Sequence, residues 1–443
     1  MIIWELHLTE LITIKNKQMK TTKYISIALI GLTFVACTKT EFDDFESLNS
    51  GTANFSNYIA VGNSLTQGFQ DNGLHNEFNQ QNNSYPAILA KQMNTNFLQP
   101  TVLGADGSGY LKLTSLAPDI DNVPAASGWN NWDNNKKYNN LGISGIRLTD
   151  CVPTNGSIFS PTINQVITSQ NPYGKFLDFG SLFSPVTYLE HVKNSNATFY
   201  TCWLGNNDVL GWATSGGDDG EINVGGIPIP IKTSELTPVA VFRAKYDSIM
   251  GAFEKMGAKG VCATIPDVTS IPFFNTVTLA AIGAEVWITE GPYSNNPGNV
   301  RKATPDDLIL LSTKDKFSTT TGHGFVQANP LTHEEVLDKD EVAVVRNHTV
   351  LLNNEIKASA NAHGAAIADM HEYMFSLKSG MTFDGVAFDA KFIEGGAFSL
   401  DGVHPNTRGY ALVANKFIEV INQAYGSNLR PVMVHDYRGI IFP

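Results

Sequence analysis

The sequence predicts an α/β fold with one mainly parallel central sheet, doubly wound by helices. Three observations carry this. Short apolar runs recur along the chain, and each stops at a Gly, Pro or Asp turn. The runs are nearly continuous rather than alternating, as expected of strands covered on both faces. Stretches with apolar residues at helical spacing lie between them, and alternating strands and helices favour a parallel sheet.

Tyr58–Val61 is the first such run and stops at Gly62-Asn63. Thr198–Leu204 stops at Gly205-Asn206-Asn207-Asp208, Gly260–Ile265 at Pro266-Asp267, and Ala365–Ala368 at Asp369. Helices are expected over Tyr85–Met93, Val186–Val192, Val239–Met256, Thr349–Ala362 and Gly409–Ala424. In the third of these, Val241, Phe242, Tyr246, Ile249, Met250 and Phe253 form one apolar stripe. Two stretches do not fit a minimal core: 103–137, rich in Gly, Asn and Asp, and 274–346, long and mixed. Long loops in a compact domain are usually functional covers or disordered. The second reads as an insertion over the active-site face, with the character of a lid.

The chain has 443 residues and a formal charge of −12, with 42% hydrophobic, 10% aromatic and 16% charged residues. That is enough apolar material for a large core. The acidic balance, without a Lys/Arg cluster, argues against nucleic acid or anionic lipid as the main partner.

Residues 1–18 read as an upstream extension and are set aside. Met19–Lys23 is a short basic segment, followed by the apolar run Tyr24–Ala36, too short to span a bilayer but suited to secretion. It ends at Phe34-Val35-Ala36-Cys37, a bacterial lipobox with Cys37 as the lipidated first residue of the mature chain. A polar tether, 38–54, follows, and one domain is expected over 55–443. Such a chain would be extracytoplasmic and held by acyl groups on a bacterial membrane, the outer one, facing either the periplasm or the cell surface. Cys151, Cys202 and Cys262 form no disulfide framework and no zinc pattern, and Cys202 and Cys262 read as small core residues. No metal and no organic cofactor is expected.

Two motifs near the ends of the domain supply chemistry. Gly62-Asn63-Ser64-Leu65 places a hydroxyl at a strand-to-helix turn, and Asp401-Gly402-Val403-His404 places a carboxylate and an imidazole three residues apart. Together they offer a nucleophile, a base and a group that orients the base. Asn140–Gly145 is a glycine-rich turn whose backbone N–H can donate to an oxyanion, and Gly205–Asp208 can offer an Asn amide for the same purpose, with Asp208 fixing the loop. Read singly, Ser64 is a helix cap, the two glycine motifs are turns, and His404 is a packed side chain.

Taken together, the four motifs resemble those of the SGNH hydrolases, the GDSL esterase/lipase family, whose blocks carry Ser, Gly, Asn and His in that order. The matches are Ser64, Gly145, Asn207 and His404 with Asp401. The resemblance implies a flavodoxin-like α/β/α sandwich and a serine esterase or lipase acting on carboxylic esters. It implies a Ser64–His404–Asp401 triad and an oxyanion hole formed by Ser64, Gly145 and Asn207. The alternatives are a carbohydrate O-acetyl esterase on the same site, or a lipoprotein that binds lipid or glycan without turnover. Two positions depart from the family pattern: Asn63 stands where Asp is usual, and Asn206 where Gly is usual. Pro266–Pro272 resembles the lipase-like branch. The expected substrate is a small-molecule, lipid or glycan acyl ester, and the apolar segment from Phe273-Phe274 through Ile288 is a candidate acyl-pocket lining.

Overall fold

The apolar runs become five strands: β1 (Tyr58–Gly62), β2 (Asn140–Gly142), β3 (Phe199–Trp203), β4 (Lys259–Ala263) and β5 (Ala366–Ala368). The computed structural model describes residues 47–115, 119–126, 136–152, 187–224, 227–232 and 234–443. The five strands pair in parallel in the order β2-β1-β3-β4-β5. That is the strand order of flavodoxin-like sheets.

The main helices are α1 (Ser64–Gln67), α2 (Tyr85–Gln92), α3 (Tyr188–Lys193), α4 (Asn207–Thr214), α5 (Val239–Lys255), α6 (Lys339–Ala362) and α7 (Thr407–Tyr425). Side chains alternate along β3, so its two faces report what covers the sheet. Phe199 meets Tyr425 of α7 edge-on, and Trp203 meets Phe417 of α7 and Tyr85 of α2. Between them in sequence, Tyr200 stacks on Phe253 of α5, with ring centroids 3.9 Å apart. Helices α2 and α7 therefore cover one face and α5 the other, with α3 and α6 packed on α5. The result is the expected three-layer α/β/α sandwich. Cys151, Cys202 and Cys262 are buried free thiols, and no helix among the described residues is long and apolar enough to cross a membrane.

The differences from expectation have local causes. β2 was hidden because three residues, Asn140-Leu141-Gly142, are too few to show a pattern, and they read as a turn. α6 begins ten residues earlier than expected, at Lys339. Asp338 caps it and Glu341 returns a bond to the cap, an S/T/D-x-x-E signature. In α5, Val241 is 39% exposed and lies off the stripe, whereas Ala252 completes it. α7 starts two residues earlier than expected, at Thr407, because Asn406 caps it by accepting from Gly409 N–H. Asn49–Pro443 form one unit, in which Thr52 N–H donates to Tyr425 O at 2.8 Å. Cys37, the leader and most of the tether lie outside the described residues.

The two odd stretches carry structure of their own. Within 103–137, Tyr110–Leu113 and Ile120–Val123 form an antiparallel pair. The longer stretch, rather than being a loop, contains two small antiparallel pairs, and Val277, Val286, Ile288, Ile309, Leu331 and Val336 form a separate apolar cluster. It ends at Leu337, because 339–346 belong to α6. Its polar anchor is Arg301, which donates to Glu290 at 2.6 Å and to both Asp307 oxygens at 2.7 Å.

Burial by itself would raise the Asp307 carboxyl, but Arg301 and the N–H groups of Thr304 and Lys339 hold it below its ordinary value. A depressed carboxylate adds stability that is present above about pH 4 and is lost as pH falls through the lowered value. Arg301→Gln leaves two buried carboxylates without their cation and should cost about 3–5 kcal/mol at neutral pH. Denaturant unfolding at a series of pH values should show this deficit shrinking in acid; a deficit independent of pH would contradict the account.

Candidate active site

In a doubly wound sheet, the crevice that binds ligand opens where neighbouring strands send their connections to opposite sides. Here those neighbours are β1 and β3, paired so that Gly62 faces Trp203. The chain leaves β1 through Gly62-Asn63-Ser64 and leaves β3 through Gly205-Asn206-Asn207. Gly62 is required by space: a Cβ there would lie 1.9 Å from Thr66 Oγ1 and 3.0 Å from Trp203 O. Asn63 caps α1, its Oδ1 accepting from Leu65 N–H at 3.1 Å. Ser64 is thus the first residue of α1, where backbone N–H groups have no intrahelical acceptor. It is only 6% exposed.

His404 Nε2 lies 2.9 Å from Ser64 Oγ, and His404 Nδ1 lies 2.9 Å from Asp401 Oδ2. The Asp401 carboxylate accepts three more bonds, from the N–H groups of Val403 and His404 at 2.8 Å and of Asn72 at 2.9 Å. Burial alone would push its pKa up. The facing His404 and these donors outweigh burial and bring it down to about 2. The Phe69 ring packs against the imidazole, with centroids 4.7 Å apart.

Sequence reasoning missed the segment that carries this arrangement. Asp71 Oδ1 accepts from Leu400 N–H and Asp71 N–H donates to Ser399 Oγ, each at 2.9 Å. Asp71 and Asn72 both have positive φ, 52° and 60°, a conformation that Asp and Asn tolerate better than other non-glycine residues. An adjacent Asp-Asn pair shortly after a nucleophile turn was the available signal.

The third and fourth motifs brace the first. Ser144 donates to Gln67 Oε1 from its N–H at 2.8 Å and from its hydroxyl at 2.6 Å, tying the Gly145 turn to α1. Gly145 has φ +80°, which favours glycine. Asn207 Nδ2 donates to Ile146 O at 2.9 Å. Asp208 fixes the loop as expected, accepting from Leu148 N–H at 3.1 Å and Thr237 Oγ1 at 2.7 Å. Burial raises its carboxyl despite the nearby Arg147. Ser64, His404 and Asn207 line one cavity of about 50 Å³, whose remaining wall includes Asn63, Asn206, Leu65, Leu210, Val268, Ile271 and Val403. Gly145 sits on the neighbouring turn, outside that lining.

The expected acyl-pocket segment divides differently. Phe274 and Ile288 are core residues, while Phe273 lines a separate open groove of about 730 Å³ together with Asn72, Asp401, Phe392, Asp119 and Asp121. Among the described residues, donor atoms of Asp218, His333 and Glu334 lie within 4.8 Å of one another, away from the Ser64 cavity.

The family model "GDSL-like Lipase/Acylhydrolase" matches residues 58–417. The chain belongs to the GDSL-like lipase/acylhydrolase family. It is an enzyme that acts on ester bonds. Among solved structures, the chain is similar to LAE5, an alpha/beta hydrolase enzyme from the metagenome of Lake Arreo, Spain, at 11% identity over 84% of this chain and 96% of that one, with a TM-score of 0.34. It is also similar to a mutant of Axe2, an acetyl-xylooligosaccharide esterase from Geobacillus stearmophilus, at 10% identity, 84% and 96% coverage, and a TM-score of 0.35. Among curated proteins, none matches the chain in sequence. Membership of the GDSL family therefore stands on the family model.

The closeness at Gly62 is testable. Gly62→Ala must move Thr66, whose hydroxyl bonds to Tyr85 at 3.0 Å, and overpacking of this kind costs about 1–3 kcal/mol. Thermal unfolding should show a lowered midpoint with esterase activity reduced; an unchanged midpoint would contradict the close packing of β1 against α1.

Proposed function

We propose that this GDSL-family enzyme is a serine esterase that hydrolyses short acyl esters through a covalent acyl-enzyme. The observation that carries the reading is the unbroken hydrogen-bonded line Ser64–His404–Asp401. Asp401, kept ionised, accepts a hydrogen bond from Nδ1–H and leaves Nε2 free to take the Ser64 proton. Ser64 Oγ attacks the ester carbonyl. The N–H groups of Ser64 and Gly145 and the second amide hydrogen of Asn207 donate to the oxyanion, each worth about 3–4 kcal/mol to the transition state. The imidazolium then protonates the leaving alcohol. Water, activated by His404, attacks the acyl-enzyme and regenerates Ser64.

Size decides between acyl chains. A cavity of about 50 Å³ beside Ser64 is far below the few hundred Å³ of a pocket for a drug-sized ligand, which favours short acyl groups over fatty ones. The wide groove bordering Asp401 suits a bulky, hydroxyl-rich alcohol, because Asp119 and Asp121 can accept its hydroxyls and Phe273 and Phe392 offer flat apolar faces. An acylated glycan fits this description better than a lipid. A protein that only binds its ligand has no use for a complete line of nucleophile, base and carboxylate, which weighs against the non-catalytic reading.

Anchoring through acylated Cys37 is part of the same proposal, resting on the lipobox alone. Palmitate should label the wild type and not Cys37→Ala, and labelling of both or of neither would sink the anchor.

The catalytic reading is tested with a fluorophosphonate probe, which should label the wild type and not Ser64→Ala. Equal labelling of the two removes Ser64 as nucleophile. p-Nitrophenyl esters should then show kcat/KM falling steeply from acetate to octanoate; a maximum at octanoate would contradict the short acyl cavity.

A further inference from the structure

A second group of chemistry-bearing side chains lies outside the Ser64 cavity, where the segment after α4 meets the segment before α6. We propose that Asp218, His333 and Glu334 bind a divalent transition-metal ion of the zinc class, which pins these two segments together. The proposal is independent of Ser64 being the nucleophile.

The three side chains converge, each offering one ligand atom, and these atoms all lie within 4.8 Å of one another. A tetrahedral zinc with bonds of about 2.1 Å sets its ligand atoms about 3.4 Å apart, so small side-chain rotations would close the set around an ion. The backbones that carry them are held in register. Gly216, at φ +65°, packs so closely on the other segment that a Cβ there would lie 2.1 Å from His333 O and 2.9 Å from Glu334 Cα. Asp218 follows in the same turn, its Oδ1 accepting from Gly220 N–H at 2.6 Å. A capping box between Thr332 and Glu335 fixes the short helix of His333 and Glu334.

The neighbouring acids show what this set lacks. Asp219 accepts from Tyr293 OH at 2.7 Å, and Glu335 meets Lys316 at 3.2 Å and His323 Nε2 at 2.9 Å. Among the described residues, by contrast, no cation pairs with Asp218 or Glu334, and His333 Nδ1 is buried without a hydrogen-bond partner. Two carboxylates brought together repel each other, and a cation between them turns that repulsion into attraction. The imidazole decides the kind of ion. Calcium and magnesium take oxygen shells, whereas imidazole suits zinc and its neighbours. The sequence shows no metal pattern because Asp218 comes from a distant segment, so the three residues have no ligand spacing.

The test uses the untagged full chain, stripped with a chelator and then titrated with ZnCl2. Calorimetry should show one Zn²⁺ bound per chain. Thermal unfolding should show the midpoint rising by about 3–5 °C at about a hundredfold excess over Kd. His333→Ala and Asp218→Ala should lose both responses while unfolding in chelator near the wild-type midpoint. Glu334→Ala changes an exposed side chain and should weaken zinc binding even if the other two variants fail to fold. Absence of binding by the wild type overturns the proposal. Binding that persists unweakened in His333→Ala or Glu334→Ala overturns it as well. So does an equal rise with CaCl2, which would mark a general response of an acidic surface.

Discussion

The site depends on one buried carboxylate. Asp401 is a single side chain, yet it accepts from the imidazole it orients, from two N–H groups of its own turn, and from Asn72 on the far side of α1. These four bonds do two things at once. They keep the carboxylate charged although it is buried, and they fasten the turn before α7 to the segment after α1. Ser64 and His404, distant in sequence, therefore stay within 2.9 Å of each other. Removing this acceptor would leave its donors unsatisfied in a dry site, where the penalty is largest.

The sheet supplies the other constraint. Because β1 lies between β2 and β3, its connection and that of β3 diverge, and the crevice between them receives Ser64 from one strand end and Asn207 from the next. The two helices that begin there, α1 and α4, each start at a residue of the site. Asp208 and Ser144 bond across to neighbouring segments, which ties the Gly145 turn to both α1 and α4. The cavity is small because helix starts and the Val268–Ile271 turn crowd it, and a wider groove opens beyond Asp401.

Much of this was legible in the sequence. Continuous, largely apolar strands covered on both faces, such as Phe199–Trp203, announce themselves because burial leaves no charged position in them. The candidate site was legible because Asp401 and His404 share a turn and because the other blocks follow strand ends. What stayed hidden lacked a period or a local partner. β2 is three residues long and is recognisable only by its pairing with β1. The bonds of Asp71 and Asn72 reach residues more than 300 positions away, which no local pattern records. The stretch before α6 looked like a loop because its core is a separate cluster of scattered residues.

Asn63 and Asn206 belong to a different kind of information. As letters they were deviations from a pattern, without consequence for the triad. Burial beside Ser64 leaves amide atoms of both without hydrogen-bond partners among the described residues. The triad geometry itself is tested most directly by kcat of Asp401→Asn. The amide NH2 can donate to Nδ1 and so favours the wrong tautomer of His404, and kcat should fall by about 10⁴-fold while the folded protein persists. A kcat within about tenfold of the wild type would show that Asp401 does not orient the base, and would contradict the account.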